Sequence, residues 1–432
     1  MLIFAAIQHL RQQLLKITDS RPGYARLDTL LPAESDGLRW LAAQAVWPQF
    51  YWQPRDTGET LTACGELMHA ESAADARQLL ETLPPGWKLV GANEFGLTRS
   101  FLFLPRLLLQ GTTLSIFLHD AVSLQADLQR AIAFLDSLLP ARDVGDLPDP
   151  LSGLTHLPQC HDWTGLVERA LASIQRGDLD KVVLARATDL SFTRAVSAAS
   201  LLGASRDINQ HCYHFLLALE PGRAFIGSSP ERLYHRRELR LLTEALAGTC
   251  ANSADGAQAD RLAHELLQDD KNLRENGMVV EDICLRLRSV TADLDVLPVE
   301  TLRLRHVQHL RRRIRASLAR ADDLLCLSRL QPTAAVAGLP RQPARSFIAA
   351  NEPFPRGWYA GSVGYLSAEV SEFAVALRSA GVEGNLVRLY AGAGIVAGSE
   401  AQSEWQELNH KAAGLASLLN VDLTAGSCLK SK

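Results

Sequence analysis

Glu404, Glu407 and Lys411 lie three and four residues apart in a segment with helical patterning, so two carboxylates and an ammonium share one helical face. Such a face converges on a ligand, or it is a solvated charge pattern with an i,i+4 ion pair worth only ~0.3–0.5 kcal/mol. Just upstream, Ala391–Val396 leaves a strand through Gly392 and Gly394, whose missing side chains permit close backbone approach. Glu275 lies in the polar run Asp269–Asn276 ahead of the apolar Met278–Val280, where a carboxylate suits a hard divalent ion as well as it suits solvent. Lys181 opens an almost wholly apolar strand. Its amine serves as a general base only if burial takes it from ~10.4 towards neutrality; the plainer reading is a strand-edge lysine in water. Glu231 follows the turn Gly227–Pro230, which either aims a carboxyl group into a cleft or pairs it with Arg232 or Arg236. His306 and His309 have no Cys, His or Asp at zinc-site spacing and read as hydrogen-bonded histidines.

The elements that must hold these groups can be read from periodicity and breakers. The prolines, glycine and aspartates of 140–150 mark the main boundary of the chain. Upstream, Trp47–Gln53 and Leu102–Leu118 read as strands and the N-terminus as an amphipathic helix. Downstream the pattern predicts a helix at 163–176, a strand from Lys181 to Leu190, and strands over Ala224–Glu231, Arg232–Tyr234 and Glu238–Thr243. A helical region follows over 256–288, broken near Asp269–Asp270, then a basic stretch, Leu302–Leu318, whose first part reads as strand. Strands at 371–380 and 386–393, joined by 381–385, lead to a last helix at 400–418.

Composition narrows the functional classes. The 432 residues are 47% hydrophobic and 21% charged, which suits a folded globular chain. With 44 Lys and Arg against 48 Asp and Glu, the net charge of −4 offers no basic tract for nucleic acid. The most apolar later stretch, Ser100–Val122, is interrupted by Arg106, His119 and Asp120, so no membrane span is expected; the N-terminus has no basic n-region and meets Arg11 and Lys16 too early for a secretory leader. Seven scattered cysteines without a CxxC pair read as reduced thiols of a cytoplasmic protein. No phosphate loop, GxSxG elbow or HExxH is present.

Taken in order, Lys181–Arg186, Gly227–Glu231, Thr243–Thr249, Lys271–Glu275, Gln331–Pro340, Ala376–Arg378, Ala391–Gly394 and Glu404–Glu407 with Lys411 follow the succession found in chorismate-utilising enzymes. The chain resembles that family over about 160–420, and within it is most similar to isochorismate synthases of the menaquinone type, including the segment Trp47–Gln53. The resemblance implies an α+β fold, a large two-sheet antiparallel sandwich flanked by helices. Residues 155–425 would form the chorismate-binding catalytic region, and 1–150 an N-terminal part that is not independent. It further implies a Mg2+-dependent, reversible isomerisation of chorismate to isochorismate. Lys181 activates a water for attack at ring carbon 2, and Glu231 protonates the hydroxyl leaving carbon 4. The residue types suit this: attacking water must lose a proton and a departing hydroxide must gain one, so the lysine has to be neutral and the glutamic acid protonated.

By the same resemblance, Glu275 and Glu407 hold Mg2+ against the ring carboxylate, with Glu404 acting through water. Arg378 takes the enolpyruvyl carboxylate as a bidentate pair, beside Tyr359 and the backbone at Gly392 and Gly394. Gly248, Thr249 and Lys411 line the ring-carboxylate side, Glu244 orients a ring hydroxyl or a metal-bound water, and His309 sits near the ring. Ala247 stands where aminodeoxychorismate synthases carry a nucleophilic lysine, and the chain has no fused amidotransferase domain, so neither these nor anthranilate synthases fit as well, and no amidotransferase subunit is expected. A salicylate synthase, which goes on to eliminate pyruvate, shares the same motifs. A non-catalytic chorismate-binding protein would be expected to have lost one of Lys181, Glu231, Glu275 or Glu407.

Overall fold

The computed structural model describes residues 2–18, 21–142, 145, 147 and 151–423. Part of the predicted 140–150 boundary, and Cys428, lie outside them. The expected α+β, antiparallel architecture is present, the strands among the described residues being hydrogen-bonded into one 20-stranded network. Its two faces are packed by separate apolar clusters, one around Trp40, Trp163 and Trp405 beneath helices, the other around Trp52, Tyr213 and Phe373. The strand Lys181–Phe192 runs between them. Leu184 and Leu190 enter the first cluster while Ala185 and Ala187 enter the second, which is why the strand opens with the continuous apolar run Val182–Ala185.

Strands from the N-terminal part are hydrogen-bonded to the rest. Gln49–Gln53 pairs antiparallel with Tyr213–Glu220, and Leu89–Asn93 pairs with Ser362–Leu366. The helical region at 256–288 divides into Gly256–Leu266 and Asp270–Leu287, because Asp269 accepts from the Asn272 N–H and caps a new helix. Gly277 leaves that helix unbroken. The basic stretch forms two strands, Glu300–Arg303 and Val307–Leu318, joined by residues 304–306.

The predicted strand at 371–380 is instead two, Val370–Val375 and Ser379–Glu383. Arg378 between them has a φ of +48°, a left-handed conformation that ends the first strand and redirects the chain. The connection at 381–385 accordingly shrinks to Gly384 and Asn385 before Leu386–Ile395. Cys64, Cys212, Cys250, Cys284 and Cys326 are free thiols, whereas Cys160 is disulfide-bonded, a departure from the all-reduced expectation.

Gly338 fixes where the Lys181 strand begins. It pairs with Val182 while Leu339 pairs with Lys181, and at a φ of +126° a Cβ would stand 2.2 Å from the Lys181 carbonyl oxygen. Gly338→Ala should therefore lower stability by at least about 1–3 kcal/mol, measured by urea unfolding.

Candidate active site

Lys181 is 0% exposed, which removes the water-facing reading, and its Nζ donates to Glu275 Oε1 at 2.8 Å. Gly394 permits this pair to lie against the neighbouring strand, since a Cβ there would meet Glu275 Oε1 at 2.7 Å and Lys181 Cε at 3.1 Å. Burial alone would raise the Glu275 carboxyl. The Lys181 charge and hydrogen bond, helped by Lys411 and Lys271, outweigh it and hold Glu275 below the usual carboxylate range.

The helix bearing Glu275 is fastened to an irregular strand. Between Leu246 and Thr249 the strand Arg240–Ala251 slips register against Val307–Leu318, and Gly248 adopts a φ of +86°. Asn276 Nδ2 donates to the carbonyls of Ala245, Ala247 and Leu310, and Asn272 Oδ1 accepts from the Thr249 N–H at 2.9 Å. These bonds set the helix, and Glu275 with it, beside Gly248 and Thr249.

Glu231 is 2% exposed, lines the same cleft, and pairs with neither Arg232 nor Arg236. Those arginines are engaged elsewhere, Arg232 by Asp56 and Glu372 and Arg236 by Asp323. Glu231 Oε1 is buried with no hydrogen-bond partner among the described residues. Burial, then the nearby Glu244 carboxylate, push its carboxyl up to about 8 against the pull of Lys181, Lys411 and Arg378. At such a value the protonated form is favoured at neutral pH.

Thr249, His309 and Arg378 form a chain. His309 Nε2 lies 2.8 Å from Arg378 Nη2, and its Nδ1 lies 3.0 Å from Thr249 Oγ1. Arginine can only donate, so Nε2 accepts and the ring proton sits on Nδ1. Burial, then the Arg378 and Lys411 charges, hold the imidazole well below its ordinary value and keep it neutral. Tyr359 also lines the cleft, stacked on Tyr390 with centroids 5.0 Å apart.

The last helix, Ala401–Ala416, packs on the strand Leu386–Ile395. Its position is fixed by Arg186, whose guanidinium lies 4.3 Å from the Trp405 ring and donates to Asn409 at 2.8 Å. Lys411 makes the i,i+4 pair with Glu407 at 2.5 Å and also donates to the Gly392 carbonyl at 2.9 Å, so the face is directed inward rather than solvated. Glu404 is buried 3.6 Å from Lys271; burial and the Glu407 charge raise it to about 7.

Glu231, Gly248, Thr249, Glu275, His309, Tyr359, Arg378, Gly392, Gly394 and Lys411 line one cleft, with Lys181 buried behind Glu275. An adjoining cavity beside Cys212, His306 and His410 shares Arg378, Tyr390 and Lys411 with it. Glu244 departs from its expected place. Its oxygens accept from Arg55 at 2.6 and 3.0 Å and from the Arg232 N–H at 2.8 Å, so a buried ion pair takes up the carboxylate expected to meet a hydroxyl or metal-bound water. Among the described residues no three His, Cys, Asp or Glu side chains are assembled as a cation site. The donor chemistry nevertheless suits a hard divalent ion: Glu275 and Glu407 are carboxylates held by ammonium groups, and Glu404 crowds Glu407. Arg55, Asn272 and Asn276 escaped the sequence reading. The partners that place them at the site lie 23 or more positions away along the chain, and no motif spacing marks Arg55 or Asn272.

The family described as chorismate binding enzyme matches residues 92–420. The isochorismate synthase MenF of Escherichia coli is 49% identical over 425 residues, covering 96% of this chain and 99% of that protein. MenF of Haemophilus influenzae is 42% identical, covering 89% of each. A solved structure of the menaquinone-specific isochorismate synthase from Escherichia coli superposes with a TM-score of 0.94 at 48% identity, over 97% of this chain and 100% of that one.

Proposed function

This chain belongs to the chorismate-binding enzyme family, and from that premise we propose that it is an isochorismate synthase of the menaquinone type, an isomerase acting on chorismate. The single observation that carries the chemistry is geometric: a buried lysine stands directly behind Glu275 at the wall of the cleft that the buried Glu231 carboxyl lines, with Glu231 Oε1 free of any hydrogen-bond partner among the described residues. Lys181, an ammonium in its resting pair with Glu275, must first give up a proton; the neutral amine then accepts the proton of the attacking water and Glu231 gives its proton to the departing hydroxyl, while the ring double bonds shift between the two carbons. Water attack and hydroxide loss, the hydroxide leaving as water with the proton of Glu231, together leave the composition unchanged, so the reaction is an isomerisation and needs no ammonia-supplying subunit. Arg378, fixed by neutral His309, and Lys411 supply positive charge for the two substrate carboxylates.

Glu275 and Glu407 are the residues that would hold Mg2+, with Glu404 through water, and the ion would supply charge to neutralise the ring carboxylate. The 1–150 region belongs to the same folding unit, a reading supported by the two strand pairings that join it to the catalytic region. Among the described residues no helix is long and apolar enough to cross a membrane.

The test is product analysis by chromatography and NMR after incubation with chorismate and Mg2+, beside an EDTA control. Isochorismate without pyruvate is expected, and chelation should abolish conversion. Salicylate with pyruvate would make the enzyme a salicylate synthase; no metal-dependent consumption of chorismate would overturn the reading. Glu275→Gln and Glu407→Gln should each raise the Mg2+ concentration needed for half-maximal rate, and an unchanged Mg2+ dependence in both would remove them as ligands.

A further inference from the structure

The proton donor Glu231 is followed and preceded by backbone groups that are both held from outside the cleft. Arg55 Nη1 donates to the carbonyl of Pro230, immediately before it, and Glu244 Oε1 accepts the N–H of Arg232, immediately after it, at 2.8 Å. The two side chains that grip these groups also grip each other, at 2.6 and 3.0 Å, with exposures of only 1% and 0%. We propose that the Arg55–Glu244 pair is a positioning device for Glu231, supplied across the fold by the N-terminal region to aim the acid and keep its proton on it.

Three features carry this beyond an ordinary buried ion pair. The pair holds the chain on both sides of one residue, which fixes the backbone from which Glu231 projects. Its arginine is itself fixed, lying 5.3 Å from the Tyr213 ring and within reach of Asp56 at 3.3 Å. The pair also acts electrically on the cleft. Burial would raise Glu244, but the charge and hydrogen bonds of Arg55, then Arg232, keep it ionised. That fixed negative charge opposes a second one on Glu231, which otherwise faces the cations Lys181, Lys411 and Arg378. Neither Arg55 nor Glu244 lines the cleft, so their part is positioning and tuning rather than contact with the reacting atoms.

The inference rests on Glu231 as the proton donor, and the experiment separates the two claims. Wild-type enzyme is assayed first with chorismate and Mg2+; failure to form isochorismate sinks the functional reading itself. With that reaction established, kcat and KM are measured against pH for Glu244→Gln, which keeps the shape and the acceptor oxygen but loses the charge. The expected result is a kcat lower by on the order of tenfold, a KM little changed, and an alkaline limb displaced to lower pH, because Glu231 then gives up its proton sooner. Arg55→Lys, which keeps the charge and loses the fork, guards against a Glu244→Gln chain that does not fold. It should lower kcat with the limb moved in the same direction but less far. A folded variant of either kind, judged by circular dichroism, with wild-type kcat and an unmoved limb overturns the proposal. So does a rise in KM at constant kcat, which would make the pair a substrate-binding element instead.

Discussion

Lys181→Ala should reduce conversion of chorismate to isochorismate by about 10²–10⁴-fold while the chain still folds, the range a positioned proton-transfer group contributes. The expectation rests on what replaces the amine. Lys181 is buried, and its Nζ meets Glu275 at 2.8 Å, so the truncation leaves a space beside a carboxylate and no other amine at that end of the strand. Lys411 cannot substitute, because it is committed to Glu407 and to the Gly392 carbonyl on the neighbouring strand. Losing Lys181 also removes the main influence that holds Glu275 below the usual carboxylate range, so burial then pushes that carboxyl upward. The sign of the linked stability follows. A depressed carboxylate stabilises the fold above its unfolded value of ~4.3, and that contribution fades as pH falls through the lower folded value. The variant should therefore melt earlier than wild type at neutral pH, with the difference shrinking in acid. Wild-type turnover in a folded Lys181→Ala protein, measured by isochorismate formation, would refute its assignment as the base.

Much of this site was legible because its residues sit in short motifs on regular elements. Lys181 opens a strand, Glu275 lies on a helix with a clear cap, and Glu404, Glu407 and Lys411 share a helical face. Local spacing could not say whether such groups are buried. The inward direction of the last helix depends on Arg186 stacking on Trp405, a contact between elements far apart in the chain. What was misread had a non-local cause each time. Glu244 was expected at the substrate, yet Arg55, 189 positions away, takes it up. The pattern predicts one strand running through Arg378 over 371–380, whereas the left-handed backbone at that residue ends the first strand, with Arg378 bonded to His309 from a distant element. Asn276, polar in a helix whose inner face is apolar, was the one local hint. A buried amide there needs carbonyl partners, and the register slip between Leu246 and Thr249 supplies them.

Glu231→Gln should abolish turnover to a similar extent, about 10²–10⁴-fold, and for a different reason. Glutamine keeps the size and neutrality of the protonated acid, so the buried Oε1 environment and the flanking backbone bonds survive the change. What is lost is the transferable proton, and hydroxide then has to leave ring carbon 4 unassisted. Wild-type kcat/KM should fall on the alkaline side with an apparent pKa near the value of about 8 set by burial and Glu244. The same raised value has a stability consequence that checks the protonation state without any assay. A carboxyl whose folded pKa lies above its unfolded ~4.3 contributes stability that is fully present below ~4.3 and is lost as pH rises through about 8. Glutamine does not titrate, so wild type should lose stability relative to Glu231→Gln across that window, seen as diverging denaturation midpoints between acid and alkaline buffer. Parallel midpoints would mean that Glu231 is ionised in the folded enzyme. In that case a carboxylate, not a carboxylic acid, faces the leaving hydroxyl, and the proton would have to come from elsewhere in the cleft.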